Sequence, residues 1–299
     1  MPPHPALPLQ HLNIAAGIDI AYVDRAAHGN GPTLLLLHGI FDHKGTWNSL
    51  IKRVPNYRII APDLVGHGHS SRPLLGQVAM DHRYSPDMQA EYLCLFIEKL
   101  ALKSLVLIGS SLGGGIALRL YLNYPEIREK TRALILVAAA GYKQMLPGHI
   151  GAMGGWLGRL LQNSLGGNLA KISRLVHFSA RRSIRRCFHD PNKAPDELCV
   201  EAITALEQPN TFYAYRFSAR NITPPDLDAF QLRFAEIACP ALIFWGREDR
   251  VINPLAALRF AADIDGAELK VFDQCGHAPH IECAEQVAHE LQDFLERRL

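Results

Sequence analysis

The pentapeptide Gly109-Ser110-Ser111-Leu112-Gly113 is the stretch of this chain that most strongly indicates its fold. It follows a short apolar run, 104–108, and precedes a run with helical character, 114–121. A strand, a sharp turn and a helix in this order form the context of a nucleophile elbow, in which a strained turn exposes a serine hydroxyl above a sheet. Glycines are expected on both sides because a Cβ there would clash with the crossing strand and helix. Ser111 is the candidate nucleophile, since only Ser111 has glycine two residues away on both sides.

Short apolar runs alternate with longer helical patterns on both sides of this turn. Continuous Leu, Ile and Val runs indicate strands that are covered on both faces, so we predict an α/β fold with a mostly parallel sheet flanked by helices. The segment 18–23 alternates apolar and polar residues and predicts an antiparallel edge strand instead. The other predicted strands are 33–37, 57–62, 104–109, 132–140, 240–245 and 269–272, and the predicted helices are 87–100, 112–123, 254–262 and 284–295.

The strand and helix alternation is interrupted between residues 141 and 232. We interpret 141–232 as a helical cap domain, inserted into a core domain formed by 1–140 and 233–299. Open α/β folds bind ligands at the carboxyl ends of their strands, and we expect the cap to cover that edge. Its helical fragments are predicted at 155–162, 169–188 and 194–206.

The first part of the predicted cap is rich in glycine and large apolar residues. Met153, Trp156 and Leu157 are candidates for lining a pocket that holds an acyl chain. Ordinary packing of the cap against the sheet domain would explain the same three residues equally well. A pocket of this composition would favour an uncharged substrate.

Composition sets limits on partners and location. Lys plus Arg number 31 and Asp plus Glu 29 among 299 residues, a balance that gives no reason to expect nucleic acid or an anionic membrane as a partner. The apolar runs are too short to span a bilayer, so no stable membrane insertion is expected. The proline-rich start does not resemble a secretory signal, and six scattered cysteines without a C-x-x-C pair suit a reduced, cytoplasmic setting.

A serine hydroxyl is a weak nucleophile at neutral pH and needs a general base oriented by a carboxylate. His277 directly follows the last predicted strand and is the candidate base, with His280 as a nearby rival. Asp249 follows the strand 240–245 and is the candidate carboxylate, with Glu248 as its rival. A surface ion pair would also explain either carboxylate.

Two backbone N–H groups are expected to stabilise the oxyanion. Leu112 follows the nucleophile at a helix N-terminus, where the helix dipole favours an anion. The second donor is expected in the loop after 33–37, from the amide of Ile40 or, alternatively, of Phe41. His38 in the same loop needs only a buried structural role. This chemistry requires no metal and no organic cofactor, and the sequence has no Cys/His spacing typical of a metal site.

Taken together, these segments resemble the α/β-hydrolase superfamily, in its cap-bearing branch of esterases, lipases and related hydrolases. The resemblance extends from about residue 12 to the end of the chain, apart from the cap. It implies that Ser111, Asp249 and His277 form a catalytic triad, whose chain order is that of these enzymes. The matching segments are 34–39, 63–70, 109–114, 245–252 and 276–282.

Two subgroups of the superfamily differ from this chain at informative positions. Haloalkane dehalogenases and epoxide hydrolases carry aspartate where Ser111 stands. Carbon–carbon bond hydrolases of ring-cleavage diketones typically carry asparagine at the position of Ser110 and an aromatic residue at that of Ala278. Their anionic substrates are held by a cap arginine, whereas the cap arginines here could equally form a solvated helix face. These arginines are Arg174, Arg181, Arg182, Arg185 and Arg186.

The sequence therefore predicts a serine carboxylesterase that cleaves a small-molecule ester with a short or medium acyl chain. A carbon–carbon bond hydrolase, a ligand receptor that keeps the hydrolase fold, and an acyltransferase remain open as alternatives. The sequence predicts neither the natural substrate nor the oligomeric state.

Overall fold

The computed structural model describes residues 7–27, 31–163 and 173–299. Its strands form an eight-stranded sheet with the order β1-β2-β4-β3-β5-β6-β7-β8. The strands β3 to β8 are parallel to one another, and β1 and β2 are antiparallel to their neighbours. The strands are β1 Leu9–Ala15, β2 Ile18–Arg25, β3 Thr33–Leu37, β4 Ile59–Pro62, β5 Leu105–Ser110, β6 Thr131–Val137, β7 Ala241–Gly246 and β8 Glu268–Phe272.

Helices lie between most of these strands, in agreement with the predicted α/β fold class. Among the described residues, no helix has the length and apolar character needed to cross a membrane. The α-helices are α1 Asn48–Ile51, α2 Pro86–Lys99, α3 Leu112–Asn123, α4 Pro125–Lys130, α5 Gly148–Gly154, α6 Trp156–Leu161, α7 Arg174–Arg186, α8 Asp196–Glu207, α9 Thr211–Arg220, α10 Leu227–Phe230, α11 Leu255–Asp263, α12 Pro279–Glu282 and α13 Ala284–Arg298.

The central strands are buried on both faces, which explains why apolar runs in the sequence predict them. Every residue of β3, β5 and β7 is buried. Leu35 and Leu37 pack into the apolar cluster that includes α2 and α3, while Leu34 and Leu36 pack into the cluster that includes α13. Full burial of such a side chain contributes about 1.5–3 kcal/mol relative to exposure. The sheet is thereby fixed between two helical layers, and its strand ends provide a rigid edge.

The prediction for the sheet edge is wrong in one respect. The segment 18–23 does lie in an antiparallel strand, but β2 is the second strand, and β1 pairs with its outer side. The β1 sequence is mostly polar on its exposed side. It therefore lacks the continuous apolar run from which the other strands were predicted. β6 also ends at Val137, before the predicted end at residue 140, since Ala138 adopts a left-handed backbone with φ 44°.

The described residues between β6 and β7 contain helices and no strand. We call residues 141–232 the cap segment. Its first predicted helix, 155–162, corresponds to α6, whereas α5, which ends just before Gly155, was not predicted. α7 and α8 lie close to the predicted fragments 169–188 and 194–206, of which 169–172 are outside the described residues, and α9 was not predicted. Since β6 and β7 are adjacent, the segment leaves and re-enters the sheet at neighbouring strands.

Candidate active site

Ser111 occupies the turn between β5 and α3. Its backbone has φ 52° and ψ −118°, a strained conformation for a residue with a side chain, which costs on the order of 1–3 kcal/mol. Hydrogen bonds hold the turn from both sides: the Ser111 N–H donates to Val137 O at 3.0 Å, and the Ala140 N–H donates to Ser111 O at 2.9 Å. The neighbouring strand thus stabilises the strained residue.

The flanking glycines are required by close backbone contacts. A Cβ on Gly109 would lie 2.3 Å from Gly113 O, and a Cβ on Gly113 would lie 2.1 Å from Leu37 O. Neither backbone oxygen can move without disturbing the sheet or the start of α3. A Cβ at either glycine would therefore clash with the neighbouring backbone, as the sequence pattern predicts.

Asp249 and His277 come together at the ends of β7 and β8. His277 Nδ1 lies 2.8 Å from Asp249 Oδ2, and the Asp249 side chain is fully buried. The other carboxylate oxygen, Oδ1, accepts the N–H groups of Val251 at 2.8 Å and Ile252 at 3.1 Å. With Nδ1 donating to the carboxylate, Nε2 is the ring nitrogen available to accept a proton.

Ser111 and His277 line the same cavity. Within the described residues, Ser111 Oγ makes no hydrogen bond to His277. Catalytic hydrogen bonds are often long in unliganded enzymes and shorten when substrate binds. Deprotonation of the serine requires that Ser111 Oγ and His277 Nε2 come within hydrogen-bond distance in the substrate complex.

The rivals of these two residues have other partners. His280 Nε2 lies 3.1 Å from Thr46 Oγ1, and burial lowers the pKa of His280 to about 3, so its ring is neutral. Glu248 Oε2 accepts the N–H of Cys275 at 3.0 Å instead of meeting a histidine. Neither rival takes part in the Asp249–His277 pair.

His38 is fully buried and hydrogen-bonded at both ring nitrogens. Its Nε2 accepts the N–H of Leu64 at 2.9 Å, and its Nδ1 lies 2.8 Å from Gly39 O. Burial lowers the pKa of His38 below its ordinary value. The residue connects the loop after β3 to the loop after β4, which is a structural arrangement.

Three candidate oxyanion donors border Ser111. Ile40, Phe41 and Leu112 all line the cavity, and in the described part of the chain none of their N–H groups has an acceptor. A Cβ on Gly39 would lie only 3.4 Å from Ser111 Cβ, so this loop passes in van der Waals contact with the serine. The site thus offers unpaired amides on two sides of the serine hydroxyl, where a negative oxygen can be stabilised.

The cavity above Ser111 has a volume of about 470 Å³ and lies between the sheet edge and the cap segment. Met153 and Leu157 line it. The prediction is wrong for Trp156, which is 70% exposed and absent from the lining. Successive helical residues point about 100° apart, so Trp156 faces outward when Leu157 faces the cavity. Most other lining residues from the cap are apolar, among them Leu161, Val176, Ala180, Leu206 and Phe212.

The cap arginines do not contribute to the cavity lining described here. The arginine that does is Arg119 of α3, which sequence reasoning missed. Its buried guanidinium pairs with Asp87 and, at 2.7 Å, with Asp226, and it lies 4.3 Å from the centre of the Phe230 ring. A charged residue within the apolar face of α3 was the available signal. Two carboxylates neutralise its charge, so the cavity has no unpaired cation there.

Glu282 connects the histidine loop to the cap segment. Its Oε2 accepts the N–H groups of Gly276 at 2.7 Å and His189 at 3.0 Å, and its Oε1 accepts that of Asp190 at 2.9 Å. The His277 N–H itself donates to Cys187 O at 2.6 Å. The backbone of the candidate base is therefore bonded to the residues that follow α7. The sequence pattern contained Glu282 but gave no sign of these contacts.

A second connection joins the oxyanion loop to α8. His43 Nδ1 lies 2.9 Å from Glu201 Oε2, and His43 Nε2 lies 3.3 Å from Leu198 O. Burial alone would lower the pKa of His43, but Glu201 and the nearby carboxylates of Asp42 and Asp63 raise it above its ordinary value. The loop that carries Ile40 is thus tied to the cap by an ion pair that depends on protonation.

One group of potential metal ligands occurs among the described residues, and it is not at this site. It consists of Cys94, Glu98 and Glu126, none of which lines the cavity. Burial and the neighbouring Glu126 raise the pKa of the Cys94 thiol to about 12, so it stays protonated. The cavity itself offers a serine, a histidine–aspartate pair and backbone amides, which are sufficient for acyl transfer.

Residues 32–284 match the family model described as alpha/beta hydrolase fold. A 2-hydroxymuconate semialdehyde hydrolase from Pseudomonas sp. (strain CF600) is 31% identical over 291 residues, which cover 94% of this chain and 92% of the relative. The monoacylglycerol lipase ABHD6 from Bos taurus is 26% identical over 279 residues, which cover 92% of this chain and 78% of the relative.

Solved structures are similar to this chain over most of its length. A meta-cleavage product hydrolase from Pseudomonas fluorescens IP01 superposes with a TM-score of 0.75 at 25% identity, covering 96% of this chain and 97% of the other. An esterase from Exiguobacterium antarcticum has a TM-score of 0.74 at 22% identity, covering 96% and 98% of the two chains, and shows a shared fold. The relatives thus include hydrolases of carbon–carbon bonds and of esters.

Proposed function

Because the chain belongs to the alpha/beta hydrolase fold family, we propose that it is a serine hydrolase that cleaves carboxylic esters through an acyl-enzyme on Ser111. The observation that carries this proposal is the cavity above Ser111, about 470 Å³ in volume. Its walls are mainly apolar, and the one lining arginine among the described residues is paired with two carboxylates. A cavity of this size accommodates an ordinary small organic ligand. Apolar walls favour an acyl chain over an anionic substrate.

In the first half of the reaction, Ser111 Oγ attacks the ester carbonyl carbon and His277 Nε2 takes the serine proton. Asp249 stabilises the resulting imidazolium through its 2.8 Å contact with Nδ1. The N–H groups of Leu112 and Ile40 stabilise the oxyanion of the tetrahedral intermediate, and each such donor is worth roughly 10²–10³-fold in rate. The intermediate collapses, the C–O bond to the alcohol breaks, and His277 returns the proton to the departing alkoxide.

In the second half, the acyl group on Ser111 is transferred to water. His277 takes a proton from the water as its oxygen attacks the acyl carbonyl. The same two amides stabilise the second tetrahedral intermediate. The bond to Ser111 Oγ then breaks, the serine regains its proton from His277, and the carboxylic acid leaves.

A carbon–carbon bond hydrolase is the second candidate, favoured by the 31% identity to a 2-hydroxymuconate semialdehyde hydrolase. The substrate in that name carries a carboxylate, which requires a cationic or hydrogen-bonding partner when buried. Arg119 already has Asp87 and Asp226 as partners, and the five cap arginines are not part of the described lining. The ester therefore fits this cavity better than the dienoate.

Steady-state assays with two substrate sets test the proposal. The first is a p-nitrophenyl ester series from acetate to palmitate, and the second is 2-hydroxymuconate semialdehyde. We expect many turnovers on short or medium esters and little on the dienoate, with Ser111→Ala inactive on both. Faster cleavage of the dienoate than of every ester would overturn the ester proposal in favour of the second candidate. A single slow turnover on all compounds would indicate a ligand receptor.

A further inference from the structure

The charges of this chain are unevenly distributed along the sequence. From Lys130 to His189 there is no Asp or Glu, while there are ten Lys and Arg. The near balance of the whole chain, 31 against 29, conceals this segment. Most of the segment belongs to the first half of the cap segment, including α5, α6 and α7. A local excess of one charge on a surface attracts partners of the opposite charge.

One exposed face of α7 combines arginines with an aromatic ring. Arg174, Phe178, Arg182 and Arg185 recur every three or four residues, so they share one side of the helix. All four are exposed, and Phe178 is 60% exposed. The opposite side of α7 faces the cavity through Val176, Ala180, Ser183 and Ile184.

The neighbouring part of the cap also exposes large apolar side chains. Trp156 is 70% exposed and Leu160 is 56% exposed, one turn apart on α6, and Met145 before α5 is 92% exposed. Leu161 of α6 and Val176 of α7 belong to one small apolar cluster, and both line the cavity. We call the exposed set the cap patch: Met145, Trp156, Arg159, Leu160, Arg174, Phe178, Arg182 and Arg185.

Two residues that line the cavity lie close in the chain to residues of this patch. His149 of α5 and Ser179 of α7 line the cavity and are also exposed. Ser179 follows Phe178 directly, so this part of the cavity wall is adjacent in the chain to the aromatic residue of the patch.

We propose that the cap patch docks on a lipid surface that carries anionic headgroups. Tryptophan, phenylalanine and leucine beside arginine form the combination that stabilises proteins at a membrane interface, where the rings enter the headgroup region and the guanidinium groups meet phosphates. A second copy of this chain is a poorer occupant, since a symmetric dimer would place the same arginine-rich surface against itself. The overall charge balance gave no reason to expect an anionic membrane as a partner, and the cap patch changes that expectation. The docking goes beyond the proposed esterase activity.

Co-sedimentation with vesicles tests the docking independently of catalysis, with the full-length Ser111→Ala variant to prevent turnover. We expect binding to vesicles of mixed phosphatidylcholine and phosphatidylglycerol, weaker binding to pure phosphatidylcholine, and release from the mixed vesicles as salt is raised. Equal binding to both vesicle types, or none to either, would overturn the proposal.

Two double variants in the same Ser111→Ala background locate the contact. Replacement of Trp156 and Phe178 by serine removes the rings, and Arg174→Glu with Arg182→Glu reverses two charges. Since each cation near an anionic surface is worth roughly fivefold in affinity, we expect the charge reversal to weaken binding to mixed vesicles by at least about 25-fold.

Matched controls use exposed residues of the sheet domain. Leu255→Ser with Leu258→Ser removes two exposed leucines of α11, and Lys52→Glu with Arg53→Glu reverses two exposed cations near α1. The proposal predicts that both controls bind as the parent does, within about twofold. If the controls lose as much binding as the patch variants, attraction is general and the cap patch is not the docking surface.

Discussion

The sheet edge and the cap segment border the same cavity but are built in different ways. At the sheet edge, Ser111, Asp249 and His277 follow buried strands and are held by backbone hydrogen bonds. In the cap segment, α5 to α8 begin without a side-chain cap hydrogen bond, and α5 and α6 are separated by a break at Gly155. Strand ends fix the chemistry of the site, whereas short helices shape the space in front of it.

Two of the contacts that join these regions involve the loops that carry His277 and Ile40. Glu282 connects the histidine loop to the residues after α7, and His43 with Glu201 connects the oxyanion loop to α8.

The largest effect is expected at the sheet edge, for Ser111→Ala. Removal of the nucleophile abolishes acyl-enzyme formation, so kcat/KM for a p-nitrophenyl ester should fall by at least about 10⁴-fold. Ser110→Ala is the matched control, because Ser110 has no role in the proposed steps, and its activity should stay within roughly tenfold of wild type. Equal losses of kcat/KM in both variants would mean that activity depends on the conformation of the turn and not on the Ser111 hydroxyl.

A smaller effect is expected for Glu282→Gln, at the contact between the two regions. The amide has one acceptor oxygen for three N–H groups and adds an NH₂ that faces them, so the histidine loop shifts. We expect kcat to fall by up to roughly 10²-fold with a smaller change in KM, and the pH profile of kcat to move. Glu285→Gln, at the exposed start of α13, is the control. An unchanged kcat and pH profile would show that Glu282 does not position the base.

The His43–Glu201 contact predicts a pH-dependent effect on stability. The pKa of His43 is raised above 6.5 in the folded protein, so its stabilisation is present below that pH and is lost as pH rises through the raised value. The contact with His43 lowers the pKa of Glu201 below 4.5, so its stabilisation is present above 4.5 and is lost as pH falls through the lowered value.

Thermal unfolding of Glu201→Gln against wild type tests this window. The loss of Tm should be greatest between pH 4.5 and 6.5 and should shrink in alkaline buffer. Glu197→Gln, an exposed residue in the first turn of α8, is the control and should show no such window. A Tm difference that is constant with pH would contradict the ion pair.

The smallest effect is expected within the cap, where chain-length preference is set. Leu157→Trp fills part of the cavity, while Leu160→Trp enlarges an exposed residue of the same helix. Burial of one methylene is worth about 0.8 kcal/mol, or roughly fourfold, so Leu157→Trp should lower the ratio of octanoate to acetate ester hydrolysis by about tenfold or more. Leu160→Trp should leave the ratio unchanged. The same change in both variants would place the acyl chain elsewhere.

The sheet edge follows buried strands and the cap does not, and this difference also explains why the sheet edge was easier to predict from the sequence. β3, β5 and β7 are buried on both faces, so their apolar runs identified them within one residue, and the α/β-hydrolase family was recognisable. The candidate residues Ser111, Asp249 and His277 were named from their positions after strands. β1 was missed because its exposed side is polar.

The cap was less predictable because the local sequence determines little of its side-chain directions and contacts. The outward direction of Trp156 depends on where a six-residue helix begins, and no capping side chain marks that position. The pairing of Arg119 with Asp87 and Asp226, and the three N–H groups that meet at Glu282, join residues distant in the chain. Such contacts arise from tertiary packing and have no periodic signature.

The central claim, an acyl-enzyme on Ser111 formed from an ester, is tested most directly by mass spectrometry of the protein quenched during turnover of p-nitrophenyl butyrate. The account predicts a butyryl group on the peptide that contains Ser111, which is absent in Ser111→Ala and present in Ser110→Ala. Turnover with no covalent adduct in an acid-quenched sample, or a butyryl group that persists in Ser111→Ala, would contradict it.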